Sequence, residues 1–169
     1  LLRSARVYGD KLALEDLADT PISNVSFKQL HDYVIRFGKS LFEIGIKERD
    51  HIAVISENRV QWSMTYVTSM CFNMVIIPID KNLNHNEILN IIHESEATAI
   101  VFSDGFEPLM KEKRDSLLNL KYYINMDSKE HKDGIHSMTK MIEKQSAAIE
   151  RLPFVNPDVM TEIIFTSGS

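Results

Sequence analysis

The sequence predicts an α/β protein in which a mainly parallel sheet is covered by helices. Four short apolar runs are nearly continuous rather than alternating, as expected for parallel strands buried on both faces. These runs are 51–55, 75–79, 99–102 and 122–125. Segments of helical length separate them, which favours strand–helix–strand units with right-handed crossovers. The chain of 169 residues suffices for one domain or two small lobes with a buried core.

The first part of the chain is predicted to form a strand pair and a long helix. The runs LALEDL (12–17) and SNVSF (23–27) are typical of two short strands joined by a turn. Ser26 and Gln29 have the spacing of a capping box, which starts a helix. Gly45 can adopt positive φ and is expected to end it. Apolar residues recur between them every three or four positions, namely Phe27, Leu30, Val34, Phe37, Leu41 and Ile44.

The rest of the chain alternates between predicted strands and helices. A second capping box, Asn84 with Glu87, marks one helix start. A charged loop is expected at 127–134, and a proline-rich connector precedes the last strand. The predicted strands are 51–55, 75–79, 99–102, 122–125 and 161–165, and the predicted helices are about 58–72, 84–95, 107–118 and 136–150.

The composition excludes several classes of protein. The formal net charge is −5, from 24 acidic and 19 basic residues, so a nucleic-acid partner is not expected. The longest apolar run, MVIIPI, is much too short to span a bilayer. Cys71 is the single cysteine and cannot form an internal disulfide. Together with the absence of a visible signal peptide, this favours a reducing, cytoplasmic location.

Polar residues at the strand ends are the candidates for a ligand site. Ligands of open α/β sheets bind beyond the carboxyl ends of the strands. Those ends contain Ser56-Glu57-Asn58, Asp80, Ser103-Asp104 and Thr166-Ser167-Gly168-Ser169. The last group is the most suggestive, because its hydroxyl side chains can donate hydrogen bonds and Gly168 permits positive φ. Successive backbone N–H groups in such a turn can form an anion nest. The same four residues are also compatible with an ordinary polar turn.

Several other patterns are better explained structurally. The GKS at 38–40 lacks the first glycine of a Walker loop, since position 33 is Tyr33, and it falls within a predicted helix. No GxGxxG follows a predicted strand. Asp80 could be the phosphorylated aspartate of a receiver domain. A receiver would also need a pair of acidic residues after an early strand, and the chain has only Glu57 there. The six histidines show no metal-ligand spacing, namely His31, His51, His85, His93, His131 and His136.

The order of the motifs resembles the amino-terminal part of the adenylate-forming (AMP-binding) enzymes. VSFKQLHDYVIRFGKSLFEIGIKERDHIAVISEN is similar to the opening helix, glycine turn and first buried strand of that family. NMVIIPIDKNLNHNEILNIIHESEATAIVFSD is similar to the next strand–helix–strand unit, and EIIFTSGS to the start of the phosphate loop. ISENRVQW is closer to the long-chain fatty-acyl-CoA synthetases than to the peptide-synthetase branch. The family usually has glycine where this chain has Asn73, so we expect positive φ at Asn73.

This resemblance implies a function. Residues 1–169 would be the N-terminal part of an AMP-binding domain and would end inside the phosphate-binding loop. The full-length enzyme would be an acid–thiol ligase that uses ATP, Mg²⁺ and coenzyme A to activate a carboxylic acid, here expected to be a fatty acid. Thr166, Ser167, Gly168 and Ser169 would bind phosphate, with Thr166 close to the metal ion. No catalytic residue is assigned within the chain, and the isolated chain is expected to be inactive. The alternatives are an aryl-acid or amino-acid adenylating enzyme and a non-catalytic flavodoxin-like binding module.

Overall fold

A computed structural model describes residues 1–17, 20–146, 155 and 157–166 of the chain. Helices and strands follow one another through most of this part, with short 3₁₀ turns at Asp104–Phe106 and Arg114–Ser116. The helices are α1 (Leu2–Tyr8), α2 (Phe27–Glu43), α3 (Val60–Cys71), α4 (His85–Glu94), α5 (Glu107–Glu112) and α6 (Met138–Lys144). The strands are β1 (Leu12–Leu14), β2 (Val25–Ser26), β3 (His51–Ile55), β4 (Val75–Pro78), β5 (Ala99–Phe102), β6 (Tyr122–Asn125) and β7 (Ile135–Ser137).

The main sheet is parallel, as predicted. Its five strands lie in the order β4-β3-β5-β6-β7, and every paired neighbour is parallel. Ile52 of β3 lies opposite Ile76 on one side and Ala99 on the other. The chain therefore first moves to one side of β3 and then to the other, which puts the topological switch point between β3 and β5. A separate antiparallel pair, β1 with β2, confirms the predicted strand pair in shorter form.

Alternate residues of the strands belong to two hydrophobic clusters, one on each face of the sheet. Ile52 and Val54 join the cluster under α2, α3 and α6. Ala53 and Ile55 join the cluster under α4 and α5. This alternation explains why the strand sequences are apolar throughout, since neither face of the sheet is left to solvent.

Both predicted capping boxes are confirmed. The Ser26 hydroxyl accepts a hydrogen bond from the Gln29 amide at 3.2 Å, and the Gln29 side chain accepts one from the Ser26 amide at 2.9 Å. Asn84 and Glu87 make the equivalent pair at 3.1 and 2.9 Å. Each box satisfies two backbone donors that a helix start otherwise leaves free. Gly45, with φ of 109°, follows the end of α2 as expected.

Asn73 has the predicted left-handed conformation between α3 and β4. Its φ is 55°, and its carbonyl accepts a hydrogen bond from the Arg49 amide at 2.7 Å. The Asn73 side chain donates to Glu48 at 3.3 Å. Asparagine therefore tolerates the left-handed conformation that most side chains avoid, and its side chain adds a contact.

Two predicted helices are shorter than expected. The helix predicted at 107–118 ends at Glu112, and a 3₁₀ turn follows, in which the Ser116 hydroxyl donates to the Lys113 carbonyl at 2.7 Å. Such local bonds compete with helix continuation. The helix predicted at 136–150 starts only at Met138, because Ile135–Ser137 pairs with β6 as a strand that was not predicted. It ends at Lys144, since Gln145 is extended, and positions 147–150 lie outside the described residues.

The predicted last strand, 161–165, is reduced to a single bridge. Glu162 lies opposite Ile76 in a parallel arrangement at the outer edge of β4. Within the described residues the pairing does not extend to Phe165. The prediction was therefore correct in position and direction but too long. Much of the proline-rich connector before it lies outside the described residues.

Candidate functional site

The segment 161–166, which we call the lead-in segment, runs along β4 toward the carboxyl edge of the sheet. The Ile76 amide donates to the Thr161 carbonyl at 2.9 Å, and the Ile163 amide donates to the Ile76 carbonyl at 3.0 Å. Thr166 follows on the same segment and is exposed. The predicted phosphate-site residues Ser167, Gly168 and Ser169 lie outside the described residues.

Side chains of the lead-in segment contact both faces of the sheet. The Tyr66 hydroxyl of α3 donates to the Glu162 carboxylate at 3.0 Å. Tyr66 itself stacks on Trp62, with ring centroids 5.6 Å apart and planes 17° apart. Burial, followed by the Glu162 contact, raises the pKa of Tyr66, so its hydroxyl keeps its proton and acts as the donor. On the opposite face, Ile163 packs against the cluster under α4 and α5.

A polar network joins the carboxyl ends of three neighbouring strands. The Arg59 guanidinium donates to both oxygens of the Asp127 carboxylate, at 3.1 and 2.5 Å. The Asp127 carboxylate also accepts from the Asp104 amide at 2.9 Å. The buried Asn125 side chain donates to the Asp104 carboxylate at 2.7 Å and accepts from the Asp127 amide at 2.7 Å. We call Arg59, Asp104, Asn125 and Asp127 the edge network.

The edge network occupies the region where a flavodoxin-like module would hold its ligand. The exits of β3, β5 and β6 meet there, next to the switch point. The Arg59 side chain is only 6% exposed and is already bound to a carboxylate. A ligand at this place would have to displace a largely buried, bidentate ion pair. The arrangement disfavours the non-catalytic binding module that the sequence left open.

The other strand-end candidates do not come together as a reactive centre. The Ser56 hydroxyl donates to the neighbouring Glu57 carbonyl at 2.8 Å. Asp80 accepts from the amide and the side chain of Asn82, at 2.9 and 3.0 Å, in an exposed turn. Ser103 is 2% exposed. Of these predicted residues, Asp104 alone contributes a contact to the edge network, whereas Arg59, Asn125 and Asp127 were not predicted.

Gly38 and two of the histidines take part in packing contacts. Gly38 of the GKS sequence lies inside α2, where an added Cβ would fall 2.2 Å from the ring of Phe72. His131 and His136 meet edge to face, with ring centroids 5.5 Å apart. Through residues 1–17, 20–146, 155 and 157–166, no group of three or more His, Cys, Asp or Glu side chains could hold a metal ion. Burial raises the pKa of the Cys71 thiol, which makes it a poor nucleophile.

None of the helices in the described ranges combines the length and the apolar character that crossing a bilayer requires.

Comparison with known proteins places the chain in a family. The family model described as AMP-binding enzyme matches residues 1–169. The chain belongs to the AMP-binding enzyme family, which confirms the resemblance seen in the motifs.

The curated relatives are CoA ligases. Crotonobetaine/carnitine–CoA ligase of Salmonella typhimurium is 26% identical over 168 residues, and the same enzyme of Escherichia coli O127:H6 is also 26% identical. The alignment covers 98% of this chain and 32% of each relative. The chain therefore spans about a third of the length of the curated relatives that it matches.

Solved structures of acid ligases share the fold. Coronafacic acid ligase of Pectobacterium brasiliense matches with a TM-score of 0.85 at 20% identity, over 97% of this chain and 32% of that chain. A long-chain-fatty-acid–CoA ligase of Archaeoglobus fulgidus matches with a TM-score of 0.86 at 16% identity, over 99% and 33%. The predicted α/β fold with a parallel sheet is confirmed.

Proposed function

We propose that the chain is the N-terminal part of an ATP-dependent acid–CoA ligase. The observation that carries this proposal is the family match over residues 1–169. It is supported by curated relatives that are CoA ligases of about three times the length, aligned over 98% of this chain. We also propose that residues 1–169 form the first part of an AMP-binding domain and that residues 166–169 begin its phosphate loop.

The proposed reaction has two steps. A carboxylate oxygen of the acid attacks the α-phosphorus of ATP, and the bond to the leaving pyrophosphate breaks. The thiolate of coenzyme A, formed by loss of the thiol proton, then attacks the acyl carbon, and AMP leaves. Both steps move negative charge onto phosphate oxygens, so fixed donors around those oxygens lower the barriers.

Thr166, Ser167, Gly168 and Ser169 are proposed to supply such donors. Thr166 is exposed on a segment that runs toward the carboxyl edge of the parallel sheet, where α/β proteins bind their ligands. A threonine hydroxyl is an oxygen donor of the type that Mg²⁺ prefers, so the residue fits the proposed contact. When bound, Mg²⁺ would neutralise charge on the phosphates.

The proposed substrate is a fatty acid, and the proposed location is the cytoplasm. The substrate proposal rests on ISENRVQW at 55–62, which is closer to the fatty-acyl branch than to the peptide-synthetase branch. The curated relatives favour a second candidate, a small acid such as carnitine or crotonobetaine. An aryl acid is a third candidate, because an anthranilate CoA ligase shares the fold with a TM-score of 0.83.

Substrate-dependent ATP–pyrophosphate exchange tests the proposal. The full-length protein is incubated with Mg-ATP, labelled pyrophosphate and separate acids: fatty acids of several lengths, carnitine, crotonobetaine, anthranilate and amino acids. Exchange with one class, followed by a CoA thioester detected by mass spectrometry, is the expected result. No exchange with any acid would contradict the proposed function. Exchange with amino acids alone would favour the alternative of an amino-acid adenylating enzyme.

Matched variants test the loop assignment in the same assay. Thr166→Val should lower exchange at least about tenfold, because one preorganised donor is lost. Thr161→Val removes the same hydroxyl in the same segment, while the backbone carbonyl that binds Ile76 remains, and should change exchange little. The chain 1–169 alone should give no exchange, since it carries only Thr166 to Ser169 of the proposed loop. Equal effects of the two threonine variants would contradict the assignment.

A further inference from the structure

We infer that Tyr66, through its hydrogen bond to Glu162, is a positioning residue that sets the register of the lead-in segment on β4 and thereby the place of Thr166. The inference rests on the proposed function for the role of Thr166, but the register itself can be measured without any activity. Tyr66 lies on α3, 96 residues before Glu162. No sequence motif connects the two residues.

The backbone pairing alone leaves the register weakly specified. Two hydrogen bonds join the lead-in segment to β4, and both use the amide and carbonyl of Ile76. Backbone groups are the same at every position, so these bonds could form equally well with the segment shifted along β4. The register of the lead-in segment must therefore be selected by its side chains.

Ile163 excludes a shift by one residue. Its side chain packs on the cluster under α4 and α5, while the preceding Glu162 points to the other face and reaches Tyr66. Side chains of an extended segment alternate between faces, so a one-residue shift would exchange these positions. The carboxylate of Glu162 would then enter an apolar cluster, which is strongly unfavourable.

The contact between Tyr66 and Glu162 excludes a shift by two residues. Such a shift keeps the alternation of faces but replaces Glu162 by Met160 or Ile164 opposite Tyr66. Neither side chain carries an oxygen that can accept a hydrogen bond, so the partly buried hydroxyl of Tyr66 would lose its partner. Tyr66 cannot readily follow, because it stacks on Trp62 of the same helix.

The register matters for the candidate site because Thr166 is only four residues beyond Glu162. An extended chain advances about 3.3 Å per residue, so a two-residue shift would move Thr166 by roughly 7 Å. Donors misplaced by about 1 Å already lose much of their effect on a reaction. Any proposed phosphate contact of Thr166 therefore depends on the contact between Tyr66 and Glu162.

Hydrogen–deuterium exchange of the full-length protein tests the register. In Tyr66→Phe, the Ile163 amide should exchange about tenfold faster, as expected for losing a partly exposed hydrogen bond to a charged group. Glu162→Gln keeps an acceptor oxygen and should stay within about threefold of the wild type, whereas Glu162→Ala should match Tyr66→Phe. Tyr33→Phe removes the same hydroxyl from α2 and should leave the Ile163 amide unchanged. Unchanged exchange in Tyr66→Phe would overturn the inference.

Kinetics test the consequence for the site. In the pyrophosphate exchange assay, Tyr66→Phe should lower kcat about tenfold and change the KM of the acid less than about twofold, because the donors act on the transition state. Glu162→Gln should retain most of kcat. Faster amide exchange with an unaltered kcat would overturn the positioning role. If the wild type activates no acid, the proposed function fails, and the amide exchange still decides whether Tyr66 sets the register.

Discussion

Arg59 and Asp127 join the exits of β3 and β6 through a bidentate ion pair, although 68 residues separate them in the sequence. The Arg59 side chain is 6% exposed and the Asp127 side chain is 22% exposed. Because the Asp127 carboxylate also accepts from the Asp104 amide, one side chain fixes the ends of three strands.

Removing the carboxylate should therefore be costly. We expect Asp127→Ala to lower the free energy of unfolding by about 3 kcal/mol, since a nearly buried guanidinium would lose its counter-charge. Glu143→Ala breaks the exposed pair of Glu143 with Lys140 and should cost less than about 1 kcal/mol. Urea unfolding measures both values. Equal costs would contradict a structural role for the edge network.

Asn73 should tolerate glycine and resist a β-branched residue. Its φ of 55° lies in the left-handed region, which valine fits poorly. We expect Asn73→Val to cost about 1 kcal/mol or more in the free energy of unfolding. Asn73→Gly keeps the backbone conformation but loses side-chain interactions, among them the contact to Glu48, and should stay within about 1 kcal/mol of the wild type. The comparison is made by thermal or urea unfolding, and a valine variant as stable as the glycine variant would contradict it.

Gly38 should not accept a methyl group, even though it lies inside a helix. Helix propensity alone predicts that Gly38→Ala stabilises by about 1 kcal/mol. The added Cβ would meet the Phe72 ring at 2.2 to 2.4 Å, and that ring is 4% exposed and packed edge to face on Phe42. We expect the overlap to outweigh the propensity and to give a net loss of about 1 to 2 kcal/mol. In a Phe72→Leu background the same substitution should cost less, which a double-mutant cycle would measure.

Stability should fall as the pH decreases below about 6.5, partly because of His136. Burial, followed by the neighbouring His131, lowers the pKa of His136 from its ordinary value of 6.5. The unfolded chain then binds the proton before the folded chain does, so acid favours unfolding from pH 6.5 down to the lower folded pKa. We expect His136→Gln to flatten the dependence of unfolding free energy on pH in this window. A slope in His136→Gln equal to that of the wild type would contradict the assignment to His136.

The central strands could be predicted because a strand buried on both faces has a nearly continuous apolar sequence. HIAVI and AIVF consist almost entirely of apolar residues and match β3 and β5 residue for residue. The strand Ile135–Ser137 has three residues, of which His136 is half-buried, so neither length nor pattern marks it. The capping boxes were predictable for another reason, since both partners lie within one turn of the same helix.

The candidate site could be predicted only in part, because its geometry depends on contacts between distant residues. Thr166 was suggested by its place after an apolar run, which is local information. Arg59 with Asp127, and Tyr66 with Glu162, are pairs whose members lie 68 and 96 residues apart. A single sequence carries no signal for such pairs, since nothing in the neighbourhood of either residue specifies its partner.

The position of the lead-in segment beside β4 has a consequence for folding during synthesis on the ribosome. β3, β5, β6 and β7 lie side by side in the order in which they are synthesised, but the outer edge of β4 is covered only by the later Glu162. At about 5 to 20 residues per second, that edge stays uncovered for roughly 4 to 17 s after β4 is made. Pro78, which lacks an amide donor, ends β4 and weakens pairing with a foreign strand during that interval. A proline at this place therefore lowers the tendency of β4 to pair with another chain while its outer edge is uncovered.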